Sequence, residues 1–414
     1  MTAAVRPARA IVTRVLDRIE RGRVEIVERG RRMAFGPPDA DLRAEVRVHD
    51  PRFWTASLRG SGPWGSAYAD GVWDTDDLLA LCRIGARELP RSDAFRGRAK
   101  PLLAQLQRGL RLIPRNTRNG ARRNIAAHYD LGNDLFAEFL DERMVYSCAR
   151  FPDPDSDLDE AQLAKLDGIC RSLCLDPGDH LLEIGTGWGG LAIHAAGEYG
   201  ARVTTTTISR AQRELALERI RDAGLSDRIT VLDLDYRDLP GRYDKLVSIE
   251  MIEAVGWQYF PVFFRRCSDL LHDDGLMLLQ AIVVEDPAYE VEKRTKSFAT
   301  TEIFPGGCLP SRRLIAQEIE RHTDMRTAWH GDITPHYART LAAWRERFEA
   351  GFERLRVRGY DERFRRVWRM YLTMSEAGFR EQRLGDVQLL FAKPKWRGEL
   401  ADEGRVETEA LVAA

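Results

Sequence analysis

Long apolar runs are missing from this 414-residue chain: no window approaches about 18 uninterrupted apolar residues, so no helix is expected to span a membrane. The longest such stretch, LMLLQAIVV at 276–284, reads as a buried strand. A continuous apolar segment is missing from the N-terminus too, where MTAAVRPARAIVTRVLDRIERGR alternates arginine with apolar residues, and a secretory signal is not expected. Net charge is scarce. With 63 basic against 64 acidic side chains the sum is -1, which leaves no global field to draw the chain to nucleic acid. Cysteine is thin as well: six residues (Cys82, Cys148, Cys170, Cys174, Cys267 and Cys308), with no CxxC spacing at Cys170 and Cys174. That excludes a disulfide framework and a zinc site as the expected reading, and points to a reduced, cytoplasmic chain.

What is present suits a soluble globular protein, with 44% hydrophobic and 31% charged residues, and the length calls for a main domain plus a smaller one. In the first hundred residues, RVEIVER (23–29) and AEVRVHD (44–50) have strand alternation, GPPDAD (36–41) is a turn, and TDDLLALCRIGARE (75–88) reads as a capped helix. RGLRLIPRNTRNGARR (108–123) then carries six arginines and no acid, and Pro114 and Gly120 break any long helix through it. It is either a solvated linker or a strip facing anionic lipid, where each arginine near the surface contributes roughly 1 kcal/mol.

From about residue 160 the chain alternates. HLLEIG (180–185), ARVTTTTI (201–208), RITVLDL (228–234), YDKLVSIE (243–250) and GLMLLQAIV (275–283) are apolar, β-branched runs. Helical stretches such as RAQRELALERIRDAG (210–224) and YFPVFFRRCSDLL (259–271) separate them. This order predicts an α/β architecture of parallel strands with covering helices, and a ligand at the carboxyl ends of the strands. TLAAWRERFEAGFERL (340–355) and DERFRRVWRMYLTM (361–374) are expected to cap the sheet, and RGELADEGRVETEALVAA (397–414) to be a polar tail.

LLEIGTGWGG (181–190) runs from a strand into Gly185, Gly187, Gly189 and Gly190 and then into a helical pattern. Glycines there let backbone approach a ligand, and the helix start offers free N–H groups. A nicotinamide enzyme should show an acid at the end of the second strand, yet TTTTIS (204–209) has none. The acid lies inside the first strand, at Glu183, and the string resembles the first motif of S-adenosylmethionine-dependent methyltransferases. SIEMIEAVG (248–256) places Glu250 and Glu253 at the mouth of the same sheet.

With AAHYDLGNDLFAEFLDERMVYSCARF (126–151) upstream and FPGGCLPS (304–311) downstream, these strings resemble cyclopropane-fatty-acyl-phospholipid synthases and, over about 125–395, the mycolic acid cyclopropane synthases. GSAYADGVWDTDDL (65–78) resembles the N-terminal domain of the full-length, phospholipid-acting branch. The resemblance implies a Rossmann-like class I methyltransferase sheet with a helical cap over residues 126–395. To this it adds a small N-terminal α+β domain at 1–105 for lipid or dimer contact, a basic linker at 106–125 and a polar tail at 396–414.

It further implies that Tyr129, Tyr146 and Ser147 close over the methionine part of S-adenosylmethionine, with Glu183, Gly185 and Gly187 beneath it. Thr207 and Gln212 would lie along the cofactor, and Asp235 and Tyr236 at its adenine. Cys148, Glu253 and Tyr337 would surround a bound bicarbonate, with Glu253 orienting this base and Glu250 a neighbour of lower rank. His128, beside Tyr129, reads as a structural hydrogen-bonding residue. Two positions depart from many bacterial relatives, which have histidine where this chain has Gln280 and Ala254. Glutamine can still donate to an oxyanion but does not titrate near neutral pH.

The implied reaction is methyl transfer to the cis double bond of an unsaturated phospholipid acyl chain, with bicarbonate removing a proton so that a cyclopropane closes. Aromatic residues, among them Phe298, Phe304, Trp329, Tyr337, Trp344, Phe348 and Tyr371, are candidates to stabilise the cation. The alternatives are a C-methyltransferase making 10-methylene chains for a flavin-dependent reductase partner, and a catalytically silent lipid-binding protein. A homodimer working peripherally at the inner face of the membrane is the expected setting.

Overall fold

Alternating burial makes the first sheet. In β1 (Arg23–Glu28) every second residue, Val24, Ile26 and Glu28, is buried, and β3 (Arg43–Val48) repeats the pattern with Ala44, Val46 and Val48. The computed structural model describes residues 4–98, 116–118, 120 and 132–399. β1 pairs parallel with β3 and antiparallel with β2 (Arg31–Phe35), and β4 (Trp73–Thr75) closes the order β2-β1-β3-β4. The helix expected within 75–88 runs Leu78–Arg98 and begins where Asp77 Oδ1 accepts the Ala80 N–H at 2.8 Å. Buried Glu28 is satisfied by the Trp54 indole at 3.1 Å and by Arg9 at 2.8 Å.

These elements belong to one of two compact units, made of Met1–Ile113, Glu290–Pro305 and Trp344–Arg383; the other holds Pro114–Tyr289, Gly306–Ala343 and Leu384–Ala414. A single cut through 106–125 is the expectation from sequence, and the observed division is discontinuous. Trp344–Arg383, expected as a cap on the main sheet, groups with the N-terminal residues. Within this segment, the part of the helix Thr334–Val357 from Trp344 onward and the helix Glu362–Arg380 hold a buried ionic centre. Glu376, fully buried, receives Arg345 at 2.9 Å and Arg380 at 2.8 Å.

The second unit contains a seven-stranded sheet in the order β10-β11-β9-β8-β5-β6-β7. Five strands are parallel: β5 (His180–Ile184), β6 (Arg202–Thr206), β7 (Ile229–Leu232), β8 (Tyr243–Ile249) and β9 (Leu271–Val284). They are covered on both faces, which is why they read as continuous apolar runs rather than alternating ones. Leu182, Leu246 and Leu279 pack on one side with Phe263 and Phe264, and Leu181, Val203 and Val247 on the other with Leu191 and Ala195. β10 (Arg326–Asp332) and β11 (Leu384–Ala392) add an antiparallel edge that the sequence reading did not anticipate. The order reverses at β5, between β6 and β8, so the carboxyl ends of β5 and β8 flank the crevice where such sheets take their ligands.

No helix among the described residues is long and apolar enough to cross a membrane. Most of the basic strip at 108–123 lies outside the described residues; within them, Arg118 pairs with Asp238 at 2.6 Å.

One helix carries polar groups into the second unit's interior. Leu158–Ser172 starts with a capping box, Asp157 accepting the Glu160 N–H at 2.9 Å and Glu160 accepting the Asp157 N–H at 3.2 Å. Its inward face brings in Gln162 and Lys165, both fully buried. Asp157→Ala is expected to lower the unfolding free energy by about 1 kcal/mol. A urea titration whose midpoint does not move would refute that role for the cap.

Candidate active site

The turn after β5 is shaped by glycine. Gly185 has φ +109°, a conformation closed to residues with a side chain, and its N–H and that of Thr186 both reach Thr206 O at 3.1 Å. The helix Gly190–Glu198 follows at once, and a Cβ on Gly190 would stand 2.8 Å from Arg143 O, so the 143–147 segment lies directly on the glycine turn. Together they enclose an open cavity of about 1200 Å³, mouth included.

Nearly all the residues expected to hold the cofactor line this cavity. Tyr146 and Ser147 form one wall, Glu183, Gly185 and Gly187 the floor of the switch point, and Thr207, Gln212, Asp235 and Tyr236 the far side. Tyr129, like His128, lies outside the described residues. Thr207 donates its hydroxyl to Gln212 Oε1 at 3.1 Å. Asp235 holds Arg237 with both oxygens, at 2.7 and 2.6 Å. The Tyr236 hydroxyl is buried without a hydrogen-bond partner among the described residues, and burial pushes its pKa up, so it stays protonated. Glu183 accepts from Thr205 at 2.6 Å, and burial raises its pKa to about 8. A glycine turn at the switch point, an unsatisfied phenol and carboxyl groups in the wall suit a nucleoside that carries a positive sulfonium.

Beside the cavity, four elements converge on one carboxylate, and it is Glu250. Its Oε1 accepts the Cys148 N–H at 2.8 Å and the Gln280 amide at 2.8 Å, and its Oε2 accepts the Tyr337 hydroxyl at 2.5 Å. Its backbone has φ +47°, rare for a residue with a side chain and costing on the order of 1 kcal/mol. Gln280 also donates to Asp386 at 3.1 Å and accepts from Gln388 at 3.0 Å, its partner in the β9–β11 register. Burial raises the pKa of Glu250, against which Tyr337, the Cys148 N–H, Lys165 and Gln280 pull it down. Asp386 is raised well above its usual range by burial and by the charges of Glu250 and Glu253, and as an acid it hydrogen-bonds Glu250. Of the pair, Glu250, with four groups pulling its pKa down, is the more readily ionised, and Asp386 holds a proton more tightly.

Glu253, expected to rank above Glu250, is placed differently. Glu253 does not line the cavity; its Oε1 accepts the Ile282 N–H at 2.6 Å, and its Oε2 is buried with no hydrogen-bond partner among the described residues. Cys148 contributes a backbone N–H. Its thiol turns to Ala149 O at 3.2 Å, and burial drives its pKa well up, so it stays protonated.

The donors that the resemblance assigns to bicarbonate are thus engaged by Glu250, and three carboxyl groups surround the spot. These residues do not fit a second anion. Of the aromatic candidates, Tyr337 belongs to this cluster, whereas Trp344 and Phe348 are fully buried in the first unit.

Several members escape the sequence reading. Lys165, fully buried, donates to Ser147 Oγ at 2.7 Å and lines the cavity; its signal is a lone lysine on the apolar stripe of its helix. Asp386 and Gln388 are two polar residues at period-2 spacing in an otherwise apolar strand, LGDVQLLFA. Asn116 donates to Ala254 O at 2.9 Å and Gly306 O at 3.1 Å, tying the MIEAVG turn to the FPGGC turn.

The sheet order, the glycine turn at its switch point and the cavity define a class I S-adenosylmethionine-dependent methyltransferase. The chain belongs to the mycolic acid cyclopropane synthetase family, whose model matches residues 116–389. It is 40% identical over 355 residues to the tuberculostearic acid methyltransferase UfaA1 of Mycobacterium tuberculosis (strain ATCC 25618 / H37Rv), covering 82% of each chain. It is 38% identical over 358 residues to the cyclopropane-fatty-acyl-phospholipid synthase of Escherichia coli (strain K12), covering 84% of this chain and 88% of that one. Among solved structures, the mycolic acid cyclopropane synthase CmaA1 complexed with SAH and CTAB superposes with TM-score 0.61 at 32% identity, over 66% of this chain and 98% of that one.

Burial and the charge of Glu250 raise the Glu253 pKa from an ordinary 4.5 to about 8. Between those values the folded protein keeps a proton that the unfolded chain has lost, so this group's contribution to stability falls as pH rises through the window. Glu253→Gln does not titrate, and its melting temperature is expected to gain on that of the wild type from pH 5 to pH 8. Parallel melting curves across that range would overturn the assignment.

Proposed function

We propose that this protein transfers the methyl group of S-adenosylmethionine to the cis double bond of an unsaturated phospholipid acyl chain and closes a cyclopropane. The observation that carries this is Glu250, a desolvated carboxylate held by fixed donors in the wall of the cofactor cavity. Methylating an alkene carbon leaves a carbocation, and closing a ring from it requires loss of a C–H proton, so this chemistry needs a base inside a site that keeps water from capturing the cation. The similarity to a protein named cyclopropane-fatty-acyl-phospholipid synthase supports the substrate class.

S-adenosylmethionine, held by the residues of the cavity, supplies an electrophilic methyl. The chain's own contribution begins with Tyr146 and Ser147 over the methionine portion, Gly185 and Gly187 beneath it, Thr207 and Gln212 alongside, and Asp235 and Tyr236 at the adenine. Holding the alkene carbon roughly 3 to 3.5 Å from that methyl, in line with the bond that breaks, supplies most of the rate by proximity. Glu253 is a positioning residue: through Ile282 N–H and its own carbonyl, which accepts Cys308 N–H at 2.8 Å, it pins the turn after β8 to β9 and to the 306–311 segment. No step runs through bicarbonate, because its donors are already engaged.

A second reading has support from the 40% identity to a protein named for tuberculostearic acid. If a 1,2-hydride shift moves the charge onto the methylated carbon before the methyl proton leaves, the product is a 10-methylene chain, which a flavin-dependent reductase partner could convert to 10-methyl. Both products lose the same methyl proton.

Incubation with S-adenosylmethionine and vesicles of a cis-monounsaturated phospholipid, followed by proton NMR of the fatty acids, separates the two. Upfield ring-methylene protons are expected; vinylic methylene protons would replace the first reading by the second, and neither signal would overturn both.

For a protein of net charge -1, peripheral attachment would have to be local, and the strip at 108–123 is our candidate, on a homodimer. Replacing Arg108, Arg111, Arg115, Arg122 and Arg123 by glutamine, which spares the Arg118–Asp238 pair, is expected to weaken binding to anionic liposomes. Unchanged co-sedimentation would remove the strip from the account.

A further inference from the structure

The N–H of Cys148, the Tyr337 hydroxyl and the Gln280 amide, which the family resemblance would place around a free anion, all close on a carboxylate of the chain itself. The backbone N–H of Ile282, a further donor beside them, is taken by Glu253 at 2.6 Å. We propose that Glu250 stands in for bicarbonate as the proton acceptor, so that this enzyme carries its base as a side chain and turns over without the ion. The inference rests on the methyl-transfer reading above and names the base of that same site.

Position supports it. Glu250 lines the cavity, whereas Cys148, Gln280, Tyr337 and Asp386 stand behind it. The backbone at this residue sits at φ +47°, where glycine would be unstrained. The chain keeps a glutamate at a conformation that favours glycine, as expected where the side chain is required. Electrostatics support it too. A second anion would have to enter beside Glu250, with Glu253 and Asp386 close by and a single fully buried lysine, Lys165, as the nearby cation. The like charge of Glu250 disfavours the ionised guest, and any charge that reached Glu253 or Asp386 would add to that repulsion.

The step balances. The alkene π pair forms the new carbon–carbon bond as the carbon–sulfur bond breaks and sulfur leaves as a neutral thioether. The cation then gives a methyl proton to Glu250, the released C–H pair closes the ring, and the carboxylic acid returns its proton to water when product leaves. Collapse of the carboxylate onto the cation is hindered because both its oxygens already accept hydrogen bonds. Of those donors, the Tyr337 hydroxyl can swing its hydrogen aside by rotation about one bond, which opens a lone pair on Oε2 for the proton.

Two measurements on the full-length protein test this. In carbon dioxide-depleted buffer, with S-adenosylmethionine and cis-monounsaturated phospholipid vesicles, the wild-type rate is expected not to change on adding bicarbonate. Glu250→Gln should lose on the order of 10²-fold or more, the usual range for removing a positioned base, with no rescue. Glu250→Gly, which relieves the backbone and empties the anion's place, should be equally slow and regain activity with bicarbonate. Independently of turnover, calorimetric titration of bicarbonate should register no binding to wild type and saturable binding to Glu250→Gly. Stimulation of the wild type by bicarbonate, saturable binding of bicarbonate to it, or an active Glu250→Gln overturns the proposal. A wild type that makes no lipid product overturns instead the reaction on which it rests.

Discussion

A carboxylate removed from water must be given back its hydrogen bonds, and the second unit is arranged so that Glu250 receives them. The donors come from distant parts of the chain: the segment at 148, β9 at 280, and the helix that begins at Thr334. β11 supplies Asp386 as the neighbour that holds a proton more tightly. Each partner is itself fixed: Gln280 by Gln388, the Asp386 backbone by Thr334 and Ile333, and Ala149, next to Cys148, by Thr340. An unpaired buried charge would cost several kcal/mol, so these elements are constrained to meet at one place.

That constraint explains the antiparallel edge. The parallel strands β5 to β9 bring Gln280 to the site, but its amide finds Asp386 and Gln388 only on β11. Laying β11 against β9 brings Asp386 and Gln388 into the interior on the same face as Gln280, in register. These three residues interrupt apolar strands, and Gln280 links the other two to Glu250. A network of this kind rigidifies a site when complete and destabilises it when one member is missing.

The layout of β5 to β9 was readable because parallel strands covered on both sides must be apolar and β-branched, and because the glycine turn after β5 needs residues without a Cβ. Most of the residues that line the cavity were named from the same strings. The weighting of Glu250 against Glu253 did not. Two carboxylates three residues apart on an irregular turn point in directions set by φ at 250, and nothing local in SIEMIEAVG announces a left-handed backbone at a glutamate. Asp386 and Lys165 were missed for a related reason. Each reads as an isolated polar residue in an apolar pattern, and only tertiary contact shows which carboxyl or hydroxyl it serves. The grouping of Trp344–Arg383 with the N-terminal residues was equally hidden, since an amphipathic helix does not say which apolar surface it covers.

Gln280 looks, from sequence, like a histidine lost. The geometry gives it a reason of its own. A neutral imidazole has one N–H to give, and the imidazolium would add a charge that titrates near neutral pH. The glutamine amide gives two hydrogens at once, one to Glu250 at 2.8 Å and one to Asp386 at 3.1 Å, while its oxygen takes the Gln388 amide at 3.0 Å. Once a second carboxyl stands beside the first, a bridging donor that stays neutral at every relevant pH holds both without deciding which is ionised. Burial disfavours charge on either carboxyl, and the Tyr337 hydroxyl and the Cys148 N–H tip the balance toward the one that faces the cavity.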